Sequence, residues 1–190
     1  MIQTLAFMIA LGAMLPIQTP QTSGSQPPAL SGIQEPEDIS VIHYLNTKNV
    51  PIPLEMHRAQ YQTRDSAFRG SQETLVISGT TSPVQFTEGE LPTFVVQVLL
   101  PMQLPTEYEL FPLVIRKKEN QRAVILTEQG FWTDTGSRGY HLRVQRYGQN
   151  SFKIISSSPL PPGEYAFKYG LSASKSKDLY CFTIVAKPRL

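Results

Sequence analysis

Apolar residues recur at every second position in one run after another, and that spacing restricts this chain to strands. From Thr93 to Leu100, Phe94, Val96, Val98 and Leu100 face one way and Gln97 the other. Tyr140, Leu142 and Val144 alternate with His141, Arg143 and Gln145, and the pattern returns at Tyr165, Phe167 and Tyr169 and at Tyr180, Phe182 and Ile184. Successive side chains of an extended backbone point to opposite faces, so this period marks half-buried strands. Helical spacing is almost absent; the longest helix-tolerant stretch beyond the N-terminus, Pro53 to Phe68, reads weakly. Sixteen prolines act in the same direction, because a residue without an amide hydrogen breaks helices and suits strand connections. Further strands are predicted at Ile39–Leu45, Thr74–Ser78, Pro83–Thr87 and Ser151–Ser156. Tyr108–Arg116 and Arg122–Thr127 flank the charged turn Lys117–Gln121 and read as a hairpin with a solvated tip. About eight to ten strands result, which predicts an all-β fold, a single β-sandwich, over any α/β arrangement.

The N-terminus has a different character. Leu5 to Ile17 is uncharged and apolar, too short to span a bilayer, which needs ~20 residues. It has the form of a secretory signal, with Pro16 ending the helix and small residues for cleavage from Thr22 to Ser25. No Lys or Arg precedes the apolar core. Residues 1–24 are therefore expected to be a signal peptide and residues 25–37 a flexible linker rich in Pro, Gln and Ser. The folded domain is expected over 38–188. A domain of that size buries ~70% of its unfolded surface and needs no disulfide for a core. The address implied is outside the cytoplasm: periplasm, cell envelope or extracellular space.

Leu160-Pro161-Pro162-Gly163-Glu164-Tyr165 is the most distinctive local motif. Pro162-Gly163 makes a tight turn, and Tyr165 enters a strand from which its hydroxyl can reach back to the corner backbone. This resembles the Leu-x-Pro-Gly-x-Tyr corner before the penultimate strand of many immunoglobulin-like and transthyretin-like sandwiches. The chain also resembles secreted bacterial proteins that end in a Pro-Gly-Glu-Tyr strand and a Cys-Phe strand. The likeness covers the stretch from Leu160 to the last strand. It implies an immunoglobulin-like sandwich and carries no catalytic residue.

Composition narrows the chemistry. A single cysteine, Cys181, excludes an intrachain disulfide and a cysteine-based zinc site. It stands in the apolar run Leu179–Val185 and reads as a small buried hydrophobe. The three histidines, His43, His57 and His141, form no His-x-x-x-His or His-x-His pair, so no metal site is expected. No Gly-x-Ser-x-Gly elbow, phosphate loop or dinucleotide fingerprint is present. No cofactor and no catalytic residue are assigned. A hydrolase would have to assemble its site from residues distant in sequence, drawn from Asp65, Glu88, Asp134, His43, His57 and His141.

Charge suggests where binding would occur. Up to Leu110 the chain holds four basic and ten acidic residues, and from Phe111 onward thirteen and five. Arg116, Lys117, Lys118 and Arg122 form the densest basic cluster. It could meet a glycan or anionic lipid headgroups, or keep a strand edge from pairing with other chains. Phe131 and Trp132 follow Gly130 in a loop-like segment and could stack on a sugar or dock a partner. Nucleic acid is a poor fit, because the aromatics occupy alternating core faces and not a basic stacking platform. The sequence thus leads to an exported, non-catalytic β-sandwich that works by binding or assembly in the cell envelope. Its partner is a protein or glycan, with a membrane surface nearby. A secreted hydrolase and a polyanion binder stand as alternatives.

Overall fold

In a computed structural model, the structure describes residues 33–66, 70–99, 105, 107–128, 139–169 and 177–188. The segment expected to be a signal peptide, 1–24, and most of the expected linker, 25–37, therefore lie outside the described residues. Among the described residues thirteen strands occur in chain order: β1 (Ile42–Leu45), β2 (Pro51–Pro53), β3 (Glu55–Arg58), β4 (Gln60–Ser66), β5 (Gly70–Ser78), β6 (Gln85–Thr87) and β7 (Thr93–Gln97). They continue with β8 (Tyr108–Arg116), β9 (Gln121–Glu128), β10 (Leu142–Arg146), β11 (Ser151–Ser156), β12 (Gly163–Tyr169) and β13 (Asp178–Val185). The one helical turn among the described residues is 3-10, Lys117–Glu119, between β8 and β9. The fold is all-β.

The strands exceed the eight to ten expected because short pieces add to the count. β2 and β6 have three residues each. The weakly helix-tolerant stretch after Pro53 is extended as well. It forms β3 and β4, divided only at Ala59.

One sheet has five strands in the order β10-β11-β7-β1-β2, antiparallel throughout. The other runs β3-β13-β12-β8-β9-β5-β4, with β6 lying parallel to the second half of β13. Its first and last strands are successive pieces of one run of chain. Ala59 between them donates its amide to the Lys177 carbonyl at 2.8 Å, prolonging the β3–β13 ladder. A sheet whose two ends are joined through a single residue must curl on itself, as the right-handed twist of strands permits.

Alternation then sorts the core into two parts. The face of the curled sheet turned toward the five-stranded sheet supplies Leu110, Tyr165, Phe167, Phe182 and Ile184, which pack with Ile42, Phe94, Val96 and Ile154. Edge-to-face and tilted rings dominate here: Phe94 lies 4.8 Å from Phe167 and 5.0 Å from Phe182 between centroids. The opposite face, inside the curl, supplies Leu75, Ile77, Phe111, Leu113, Val124, Ala166, Leu179 and Cys181. Cys181 is fully buried, and burial pushes its thiol up to about 12. Pro112 stands within β8, opposite Tyr165 of β12. The paired residues of β8 and β9 begin only at Val114, so the missing amide hydrogen of Pro112 breaks no ladder on that side.

Candidate functional site

The basic residues singled out from sequence separate in space. Lys117 and Lys118 are exposed in the turn joining β8 to β9, which closes on Asn120 at a left-handed φ of 51°. Arg116 is half-buried. Arg122 is not at the tip surface: it is 1% exposed, opposite Ile77 and Ile115 in the ladders and in phase with Val124 inside the curl. One step in register decides this, because a strand reverses its side chains with every residue. Phe131 and Trp132 lie outside the described residues.

The hairpin extends beyond its neighbour. The β8–β12 ladder stops at Leu113 opposite Glu164, and β12 begins at Gly163. Residues 114–116 therefore pair only with β9 among the described strands. Val114 is 45% and Ile115 42% exposed there, two adjacent β-branched side chains beside Lys117 and Lys118.

Arg122 instead centres an enclosed polar network. Its Nη1 donates to Glu164 Oε2 at 3.0 Å, and its Nη2 faces Glu55 Oε2 at 3.4 Å and His57 Nε2 at 3.3 Å. His57 Nε2 lies 2.6 Å from Glu55 Oε1. Glu164, 4% exposed, also accepts from Thr183 Oγ1 at 2.6 Å, Thr81 Oγ1 at 2.9 Å and the Ser82 amide at 3.1 Å. Burial alone would raise the Glu55 carboxyl. Hydrogen bonds from Ser82 and His57 and the charge of Arg122 outweigh that and hold it below its ordinary value. The network ties β3, β9, β12, β13 and the 81–82 loop to one point. It pairs the charges inside the protein, as buried ions require, and leaves Arg122 Nε without a hydrogen-bond partner among the described residues. Sequence reasoning named Arg122 and His57 but for other roles, and missed Glu55 and Glu164. The available signal was Glu164 itself, an acid at the start of a strand whose next three residues, Tyr165, Ala166 and Phe167, are apolar.

A second locus is a cavity of about 410 Å³ where β8 meets the segment before β10, bridged by Leu110 and Tyr140. Tyr108, Glu109, Tyr140 and His141 contribute to its wall. Burial raises the Glu109 carboxyl, with the charge of Lys168 opposing. The described members of the dispersed hydrolase set do not assemble around it. His43 is buried, with Nδ1 3.1 Å from the Val41 carbonyl; His57 is held in the Arg122 network; Glu88 accepts the Lys187 amide at 3.3 Å. His141 alone of that set lines the cavity, while the Asp65 side chain and Asp134 lie outside the described residues. Among the described residues no group of three or more His, Cys, Asp or Glu is placed to hold a metal ion, and no helix is long and apolar enough to cross a membrane.

No family model matches the chain, and neither a curated protein nor a solved structure matches it.

Proposed function

We propose that this protein is an exported, non-catalytic binding domain of the cell envelope that engages a partner protein through the end of the β8–β9 hairpin. The observation that carries the reading is the one-sided ladder at residues 114–116, where exposed Val114 and Ile115 stand beside Lys117 and Lys118. An extended partner segment can add to such an edge by main-chain hydrogen bonds, with apolar contacts and charge setting its choice. Export is supported by the apolar run Leu5–Ile17 and the proline-rich stretch after it. The immunoglobulin-like sandwich reading is supported by the Tyr165 hydroxyl, which donates to the Pro161 carbonyl at 2.7 Å across the Pro-Gly corner. A photo-crosslinking residue at Ile115, compared with one at exposed Thr47 on the other sheet, tests the proposal in cells. A discrete adduct from position 115 alone, lost with Lys117→Glu and Lys118→Glu, is the expected result. Equal labelling from both positions refutes it. Salt-sensitive retention on heparin that disappears with the same two changes assigns the hairpin to a polyanionic glycan instead.

A second reading rests on the cavity beside Glu109. A carboxyl raised by burial and the His141 imidazole on one wall are the groups that proton transfer in a hydrolase uses. Turnover of chromogenic esters or glycosides that Glu109→Gln abolishes would support it; turnover indifferent to Glu109→Gln and His141→Ala would reject it.

A further inference from the structure

The strongest unassigned feature is a carboxylate cradle at the β10–β11 turn. Glu35 inserts its carboxylate there from the segment that precedes β1. Oε1 accepts the Gln149 amide at 2.7 Å, and Oε2 accepts the Asn150 amide at 3.1 Å and the Ser151 hydroxyl at 2.5 Å. Gly148 makes the approach possible, since a β-carbon at 148 would overlap the Glu35 carboxyl. Arg146 adds its charge and braces the turn, its Nη1 donating to the Gln149 carbonyl at 3.2 Å. Burial would raise the Glu35 carboxyl, but these bonds and that charge bring it below its ordinary value. Successive amides converging on one anion form a built receptor for a carboxylate.

The rest of the segment is bound as a peptide ligand would be. The Gln97 side-chain amide faces the Pro36 carbonyl at 3.0 Å and the Glu37 carbonyl at 3.2 Å, so its nitrogen points there. Pro36 is buried, and Ile39 makes a parallel bridge to Gln97. Ser40 fixes the far end: its carbonyl accepts from the hydroxyls of Tyr108 at 2.8 Å and Tyr180 at 3.2 Å. Beside the cradle lies a cavity of about 560 Å³ whose wall includes Lys48, Arg146 and Lys153. Among the described residues of the chain's own N-terminal segment, Ile33 and Gln34 line it, and neither carries a charge. The occupant in cis thus fills the carboxylate cradle, and its described residues bring no carboxylate to the cavity that Lys48 and Lys153 help to line.

We propose that the 148–151 cradle and its basic cavity form a binding site for an acidic peptide with a Glu-Pro step, and that Glu35 occupies the cradle as a displaceable latch. A partner segment with further acidic residues before that step makes the same contacts and also reaches Lys48 and Lys153. The latch competes at an effective concentration on the order of millimolar, so the native protein binds such a peptide weakly. The probe is a labelled peptide copying Ile33–Ser40 with Ile33→Glu and Gln34→Glu, titrated by fluorescence anisotropy into the full chain. Protein carrying Glu35→Ala, or the length-preserving Glu35→Gln, is expected to bind about tenfold or more tightly than the native protein. Adding Ser151→Ala, or replacing the peptide's cradle Glu by Gln, is expected to remove about tenfold of that gain, the worth of one charge-assisted hydrogen bond. Equal affinity of the native and latch-free proteins, or equal binding of the Gln peptide, overturns the proposal. Competition by heparin fragments that ignores the state of residue 35 also overturns it, because the site would then read charge density and not a carboxylate in its cradle.

Discussion

Replacing Arg122 by Met measures how far the enclosed network governs stability. Methionine keeps most of the apolar stem and removes the guanidinium. Glu164 then retains its bonds from Thr81, Ser82 and Thr183 but loses the cation 3.0 Å away. Glu55 suffers less, since its side chain is 21% exposed and keeps His57 at 2.6 Å. The loss therefore concentrates on Glu164, a carboxylate 4% exposed. Breaking a buried pair by removing one partner costs about 3–5 kcal/mol, because the other charge stays buried without compensation. For a domain of this size each kcal/mol lowers the melting temperature by about 2–4 °C, so a fall of about 6–20 °C is expected. Urea unfolding followed by far-ultraviolet circular dichroism should show a lower midpoint with an unchanged slope. The companion Glu164→Gln removes the charge and keeps an oxygen for the Thr81 and Thr183 hydroxyls, while its amide nitrogen then faces the Ser82 amide, so it carries a loss of its own. In the double variant Arg122→Met should cost much less than it does alone, giving an interaction energy of about 2 kcal/mol. If the two losses add to within about 0.5 kcal/mol, the pair is not coupled and the reasoning is refuted.

The pH dependence of stability follows from shifts of opposite sign. Glu55 and Glu35 are held below the ordinary 4.5, so their contribution is present above that value and fades as pH falls through their lowered folded-state values. Urea midpoints should therefore drop on acidification below about pH 4.5, and Glu55→Gln should flatten that limb. Glu109 behaves oppositely: its raised value means that ionisation opposes folding, so Glu109→Gln should raise the midpoint at neutral pH and leave it unchanged in acid. Tyr165→Phe removes the bond to the Pro161 carbonyl but keeps the ring 5.5 Å from that of Phe182, and calorimetry should find a loss of about 0.5–1.5 kcal/mol. Cys181 should resist a thiol reagent in the native protein and react only at the rate of unfolding, since it is fully buried with its thiol raised to about 12; fast labelling without denaturant would contradict the packing.

What could be read before the coordinates was periodic, and what could not was relational. Phe94 and Val96, Tyr165 and Phe167, and Phe182 and Ile184 announce their strands by spacing, and all six share the core between the sheets. Cys181 announces its burial by its apolar neighbours. The curl has no comparable signal. It depends on one short run, residues 55–66, pairing with β13 by its first half and β5 by its second. Those partners lie far apart in the chain, and no local pattern specifies which distant strands a run will meet. The polar network inherits that gap. Glu55 and Arg122 look like ordinary surface charges until β3 and β9 bring them together with Glu164 of β12. Glu35 shows the same limit at the other sheet. A carboxylate among prolines and glutamines reads as linker, because the amides that hold it belong to a turn more than a hundred residues away in sequence. Buried charge is costly unless paired, so an ion that finds its partners only in the folded state contributes to the uniqueness of that state. The residues hardest to place from sequence are for that reason the ones whose replacement should be felt most sharply.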